Sequence, residues 1–247
     1  MEATTPRRDI DVGRVISEAF SIYGSHAGVL LGTSAIFFVV VGVINGLLLS
    51  AGGVFLYLLT VAISIVAITL FTGFVVKLVE DVRDGRRDST IGELMSSATP
   101  AIGPLILNGF LRAIAIAVGF VLLIVPGLIL LTIWAVTAPA IVVERVGAID
   151  AFGRSRELVR GNGWSVFAVI VIAFLISLGV GLVLGGIGAG IGGAGAVIFR
   201  IVSDVVTAPI AALVAAILFF DLGGGRQAAA APAAPAEPPP PPAAPAA

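Results

Sequence analysis

The chain has 247 residues, is 58 % hydrophobic and only 12 % charged, and its mean hydropathy is +1.14. A soluble domain of this size exposes far more charge, so composition places the chain in a membrane. A formal net charge of −1 leaves no basic block to neutralise phosphates, which argues against nucleic acid as a partner. With no cysteine and a single histidine, His26, the sequence offers no disulfide, no thiolate nucleophile and no multi-histidine metal site.

Residues 1–9 read as disordered. The first strongly apolar run begins near Ala27, after Arg7, Arg8, Asp9, Asp11, Arg14 and Glu18. That leader is too long and too acidic for the n-region of a signal peptide, so it is expected to be retained. From Ile10 to Tyr23 the apolar residues fall at helical spacing, with Val12, Val15, Ile16, Ala19, Phe20 and Tyr23 on one face and Arg14, Ser17, Glu18 and Ser21 on the other. This predicts a helix lying in the interface plane or packed as in a soluble protein.

Ala27 to Leu49 is a charge-free apolar run, long enough to span a bilayer as a helix. Gly28/Gly32 and Gly42/Gly46 are small-xxx-small pairs that let another helix approach. A tight turn at 50–53 leads into a second span, Val54 to Val76, with Lys77, Glu80, Asp81, Arg83 and Asp84 marking its return to water. Asp88 to Ala98 carries a weaker amphipathic signal with Ser89 or Thr90 as N-cap. A third span is expected over 101–125, a turn at Pro126-Gly127, and a short fourth span, Leu128 to Val143, containing Pro139 and closed by Glu144 and Arg145. Ala148 to Arg160 is a third amphipathic segment, with Ala148, Ala151, Phe152, Ser155, Leu158 and Val159 on its apolar side. Trp164 follows at the position of an aromatic-belt residue. The fifth span is expected over 165–184, a glycine-rich outer turn over 185–196, and the sixth span from Val197 to Phe220.

The three turns contain no Lys or Arg, whereas twelve of the 14 basic residues lie at the opposite ends of the spans. By the positive-inside rule both termini are expected to be cytoplasmic. The reading is an all-α integral membrane domain over 10–226, with six transmembrane helices as three hairpins, each preceded by an amphipathic interfacial helix. A disordered Ala/Pro-rich tail over 227–247 is expected to be extended. Short echoes support a threefold unit: Thr-Ala-Pro stands at 137–139 and 207–209, and Ile-Asp at 10–11 and 149–150.

The segment from Pro126-Gly127 through Thr137-Ala138-Pro139 and Glu144 to Arg154-Ser155, Leu158-Val159-Arg160-Gly161-Asn162 and Trp164 resembles the membrane domain of the glycerophosphoryl diester phosphodiesterase family and related bacterial multi-pass proteins. The final span, from Thr207-Ala208-Pro209 to Phe219-Phe220-Asp221, is similar to that family's last span. The resemblance implies a stand-alone membrane module in a bacterial inner membrane. Family members that are enzymes carry a fused catalytic barrel, for which this sequence has neither the length nor the histidines, so phosphodiesterase activity does not carry over.

The candidate site residues are the polar groups inside the expected hydrocarbon: Asn108 and Arg112 in the third span, Arg200 and Asp204 in the sixth. Each charge there costs about 3 kcal/mol or more unless paired or hydrated, which makes such residues functional candidates. One reading is a polar cavity between the third and sixth spans that binds a lipid headgroup or a small anion; the other is a structural network in which Asp204 pairs with Arg200 or Arg112. Arg154, Arg156 and Arg160 are candidate contacts to anionic lipid phosphates, although positive-inside topology also accounts for them. Asn45 reads as an interhelical hydrogen bond and His26 as a headgroup-level residue without a role. Gly188 to Gly193 satisfies G-x-G-x-x-G, yet no βαβ unit surrounds it.

No catalytic constellation, cofactor motif or metal-ligand spacing is present in the sequence. The expected function is a non-enzymatic membrane scaffold or anchor that organises lipids or partner proteins, another membrane protein or a second copy of the chain included. The alternative is a transporter or permease-like protein, for which Pro139, Pro209 and the repeats speak.

Overall fold

A computed structural model describes residues 10–84 and 99–225. Every regular element among them is helical. Helix α1 (Val12–Ser25) is followed by α2 (Ala27–Ala51), α3 (Val54–Arg83), α4 (Ile102–Leu122), α5 (Ile124–Ile133), α6 (Thr137–Glu144), α7 (Asp150–Val159), α8 (Gly163–Ile191) and α9 (Gly193–Asp221). Six stretches are long and apolar enough to cross a membrane, with α5 and α6 together making the fourth. The expected helix at 88–98, the first nine residues and the tail fall outside the described residues.

The first hairpin turns at Gly52 and Gly53, whose φ values of +75° and +98° suit glycine, as the sequence predicts. The other two hairpins depart from expectation. Pro126-Gly127 is no turn: the chain reverses at the extended residue Leu123, and both residues lie in the first turn of α5. Proline fits there because first-turn amides have no partner within the helix. Gly127 instead permits close packing, since a Cβ on Gly119 would lie 3.1 Å from its Cα. The glycine-rich run 185–196 is also helical except at Gly192 (φ +96°). A Cβ on Gly188 would meet Phe199 Cβ at 2.9 Å and the Gly195 carbonyl at 3.1 Å, so these glycines bring α8 and α9 together rather than forming a loop.

The two ends of the molecule pack differently. At the charged end, Phe71, Phe74, Leu213, Ile217, Leu218 and Phe219 are fully buried, with Phe71 edge-on to Phe37 and Phe38. Helix α1 lies across α9, α8 and α2 and buries Val15, Ala19 and Ile22, an i, i+4, i+7 stripe. Asp11 caps it by accepting from the Arg14 amide at 3.0 Å. Phe20, assigned to the apolar face from sequence, points outward (46 % exposed), and Ile22 takes its place against the spans. At the hairpin tips large apolar side chains are uncovered, Val54, Phe55 and Val121 among them, as suits a surface facing lipid.

Candidate functional site

The fourth span is not one helix. It breaks at Trp134–Val136, between α5 and α6. Backbone groups orphaned in hydrocarbon cost several kcal/mol each, so a break there persists only if other groups take them up. Ser155, fully buried on α7, does so twice: its Oγ donates to the Ile133 carbonyl (2.8 Å) and accepts from the Val136 amide (3.3 Å). Thr137 Oγ1 donates to the Trp134 carbonyl at 3.3 Å, and the Phe152 ring stands edge-on to Trp134 at 4.7 Å. Helix α7 is therefore seated in the break. Its apolar face, read from sequence as meeting the interface, buries Ala151, Ser155, Leu158 and Val159 against protein.

The second Thr-Ala-Pro lies inside an unbroken helix. Pro209 has no amide, so the carbonyl four residues earlier, Val205, loses its helical donor. Ser34 Oγ, fully buried on α2, donates to it at 2.9 Å, and Tyr23 of α1 donates its hydroxyl to the Val206 carbonyl at 3.2 Å. Burial raises the Tyr23 phenol above its ordinary pKa, so it remains a donor.

The charged end is closed by ion pairs. Glu144, at the exit of α6, accepts both fork nitrogens of Arg154 at 2.6 and 2.8 Å and the Gly225 amide at 2.9 Å. That geometry joins α6, α7 and the turn after α9, and the Glu144 hydrogen bonds hold the Arg154 guanidinium above its ordinary pKa. Arg14 and Arg83 each pair with both Glu18 and Asp221, so α1, α3 and α9 converge on two carboxylates. Arg83 also lies 5.0 Å over the Phe220 ring.

The sequence-predicted residues separate into groups. Asn108 is buried and donates to the Ala148 carbonyl at 2.8 Å, anchoring the lead-in to α7. Arg112 reaches the Trp134 carbonyl at 3.5 Å, the outer limit of a hydrogen bond, where the C-terminal dipole of α5 favours a cation. Arg200 and Asp204 are exposed, one turn apart on α9. The ion pairs of the described residues all lie at the charged end, and none includes Arg112, Arg200 or Asp204. Arg154 is committed to Glu144, whereas Arg156 and Arg160 are exposed. Asn45 makes the expected interhelical bond, donating to Ser64 at 2.9 Å. His26 sits between α1 and α2, with Nδ1 2.9 Å from Ser25 Oγ.

An apolar groove of about 500 Å³ lies between α8 and α9, lined by Gly179, Val183 and Val206, and a smaller one of about 60 Å³ lies near Pro104 and Arg145. Sequence reasoning placed Ser155 on an apolar face, passed over Ser34, and read Glu144 and Asp221 only as the ends of their spans. A serine on the buried side of an amphipathic helix, and a carbonyl four residues before Pro209, were the signals that could have found the first two.

Six apolar spans built from helices, with paired charges gathered at one end, define a multi-pass integral membrane protein. The chain belongs to the family described as "Domain of unknown function (DUF7847)", which matches residues 27–222. It is also similar to a UPF0259 membrane protein of Pectobacterium carotovorum subsp. carotovorum, 29 % identical over 120 residues, which is 49 % of this chain and 48 % of that protein. The chain thus aligns with about half the length of this relative. No solved structure matches.

Proposed function

We propose that the chain is a non-enzymatic scaffold or anchor of a bacterial inner membrane, with both termini cytoplasmic, that organises lipids or partner membrane proteins. The observation that carries this reading is the closure of the charged end. Asn108, Ser155, Glu144, Arg154, Arg14, Arg83 and Asp221 are all engaged in joining elements to one another. A transport path would have to pass the seal made by Asn108 on Ala148 and Ser155 on the helix break. The likeness of 126–167 and 205–222 to the membrane domain of the glycerophosphoryl diester phosphodiesterase family supports a membrane module.

The rival transporter reading draws on the interrupted fourth span and the proline in the sixth, since discontinuous helices often surround transport sites. Single cysteines decide between them, in a sequence that has none of its own. With Ala51→Cys as the tip control, Asn108→Cys in intact cells is expected to resist a membrane-impermeant thiol reagent while Ala51→Cys reacts. Reaction at Asn108→Cys in a protein that inserts normally would sink the scaffold reading in favour of transport. Reaction at Ala51→Cys only after permeabilisation would invert the proposed orientation.

A further inference from the structure

The unpaired charges of α9 face a definite place. Ile201 and Val197 lie on α2, meeting Gly42 and Gly46; Phe199 and Ser203 lie on α8, meeting Gly188 and Gly181. Val206 is under Tyr23 of α1. At about 100° per residue, Arg200 and Asp204 occupy the remaining side, opposite α1. Helix α3 packs on both α2 and α9; Ser64 meets α2 and Ile65 and Thr69 meet α4, so Val61 and Ile68 lie between those two contacts, toward the space beside α9. On α8 the outer groove takes Val180 and Leu184, so the opposite flank belongs to Leu178 and Leu182.

These inward faces are nevertheless uncovered in the tip half. Val61 and Ile68 of α3 are 40 % and 49 % exposed, Leu178 and Leu182 of α8 41 % and 67 %. Ala211, two turns below Asp204 on the same face, is exposed as well. On the far side, Arg112 is turned inward to the Trp134 carbonyl of the second hairpin. The three hairpins therefore enclose a recess that opens at the tips and ends at the packed charged end. Its walls are apolar, and its polar groups are two guanidinium groups and one carboxylate, outside every ion pair of the described residues.

We infer that this recess holds a phospholipid whose headgroup carries both a phosphodiester and an ammonium. Arg200, with Arg112 deeper in the recess, complements the phosphate; Asp204 complements the ammonium; the exposed Leu, Ile and Val walls take acyl chains. A purely anionic ligand would leave Asp204 beside it unmatched, and a ligand without chains would leave the walls uncovered. Arg200 and Asp204, both at membrane depth and outside the ion pairs of the described residues, are matched at once. The inference goes beyond the scaffold reading and is independent of it, because a closed recess and an open path would both retain lipid.

The test is competition between phosphatidylethanolamine and phosphatidylglycerol for the purified full-length protein in micelles, read by native mass spectrometry. Ethanolamine lipid is expected to be retained about tenfold over glycerol lipid, the worth of one charge-assisted contact. Asp204→Asn is expected to erase that preference, and Arg200→Gln to weaken retention of both lipids. Equal retention by the wild-type protein overturns the inference, as does a preference untouched by both substitutions. Displacement of the lipid by equimolar glycerophosphoethanolamine, which has the head and no chains, would overturn the lipid in favour of a soluble ligand. Should either variant fail to accumulate, the wild-type competition decides alone.

Discussion

The two Thr-Ala-Pro segments begin from the same three residues and end in different structures. At 137–139 the chain breaks before the motif, and Pro139 sits in the first turn of a new helix, where a missing amide matters little. At 207–209 the helix runs through, and Pro209 removes one interior hydrogen bond. Each site is completed by a fully buried serine from another helix: Ser155 bridges a carbonyl and an amide across a gap, whereas Ser34 serves one carbonyl of a continuous helix. The lesson is that a proline in a membrane helix predicts a donor elsewhere in the fold, and that the number of orphaned groups sets how much that donor matters.

The comparison can be broken by substitution. The largest effect is expected next to the first motif, at the exit of α6. Glu144→Gln deprives Arg154 of a bidentate partner whose side chain is only 4 % exposed. Loss of one member of a buried pair costs about 3 kcal/mol, read as a lowered unfolding midpoint in micelles; an unchanged midpoint would show that Arg154 finds water or Glu157 instead. Ser155→Ala comes next, because it orphans two backbone groups: about 2–3 kcal/mol is expected. Loss of order at α7, seen as faster amide exchange over 150–159, should accompany it, and protection equal to wild type would refute the seating of α7 in the break.

Ser34→Ala orphans one carbonyl and should cost about 1 kcal/mol. The sharper version is a double-mutant cycle, since Pro209→Ala returns an amide to Val205 and should make Ser34→Ala nearly neutral. Additive effects in that cycle would separate the serine from the proline. Pro139→Ala is the smallest, within about 0.5 kcal/mol, as first-turn positions tolerate either residue; a large effect would mean that the break depends on proline rather than on Ser155.

Much of the scaffold could be read in advance because the bilayer imposes a length and a composition on every span. Six spans, the first hairpin's Gly-Gly turn, the amphipathic helices at 12–25 and 150–159 and the segregation of basic residues follow from apolar run length, helical periodicity and charge. The second turn falls at Leu123 rather than at Pro126-Gly127, and the third narrows to Gly192 within the expected 185–196, because proline and glycine signal a turn in water but in a membrane helix also serve first-turn geometry and close packing. Of the four intramembrane candidates, Arg112, Arg200 and Asp204 face the recess, while Asn108 holds Ala148.

By itself the sequence determined that this chain is helical, crosses a membrane and carries twelve of its 14 cations at one end, since those properties depend only on local composition and the thickness of hydrocarbon. The tertiary structure alone decided that Arg154 meets Glu144, that Ser155 and Ser34 complete backbones far away in sequence, and that Arg200 and Asp204 turn toward a space between hairpins. Those contacts join residues 10 to 171 positions apart, whose pairing depends on how whole helices cross and on no pattern within any one of them.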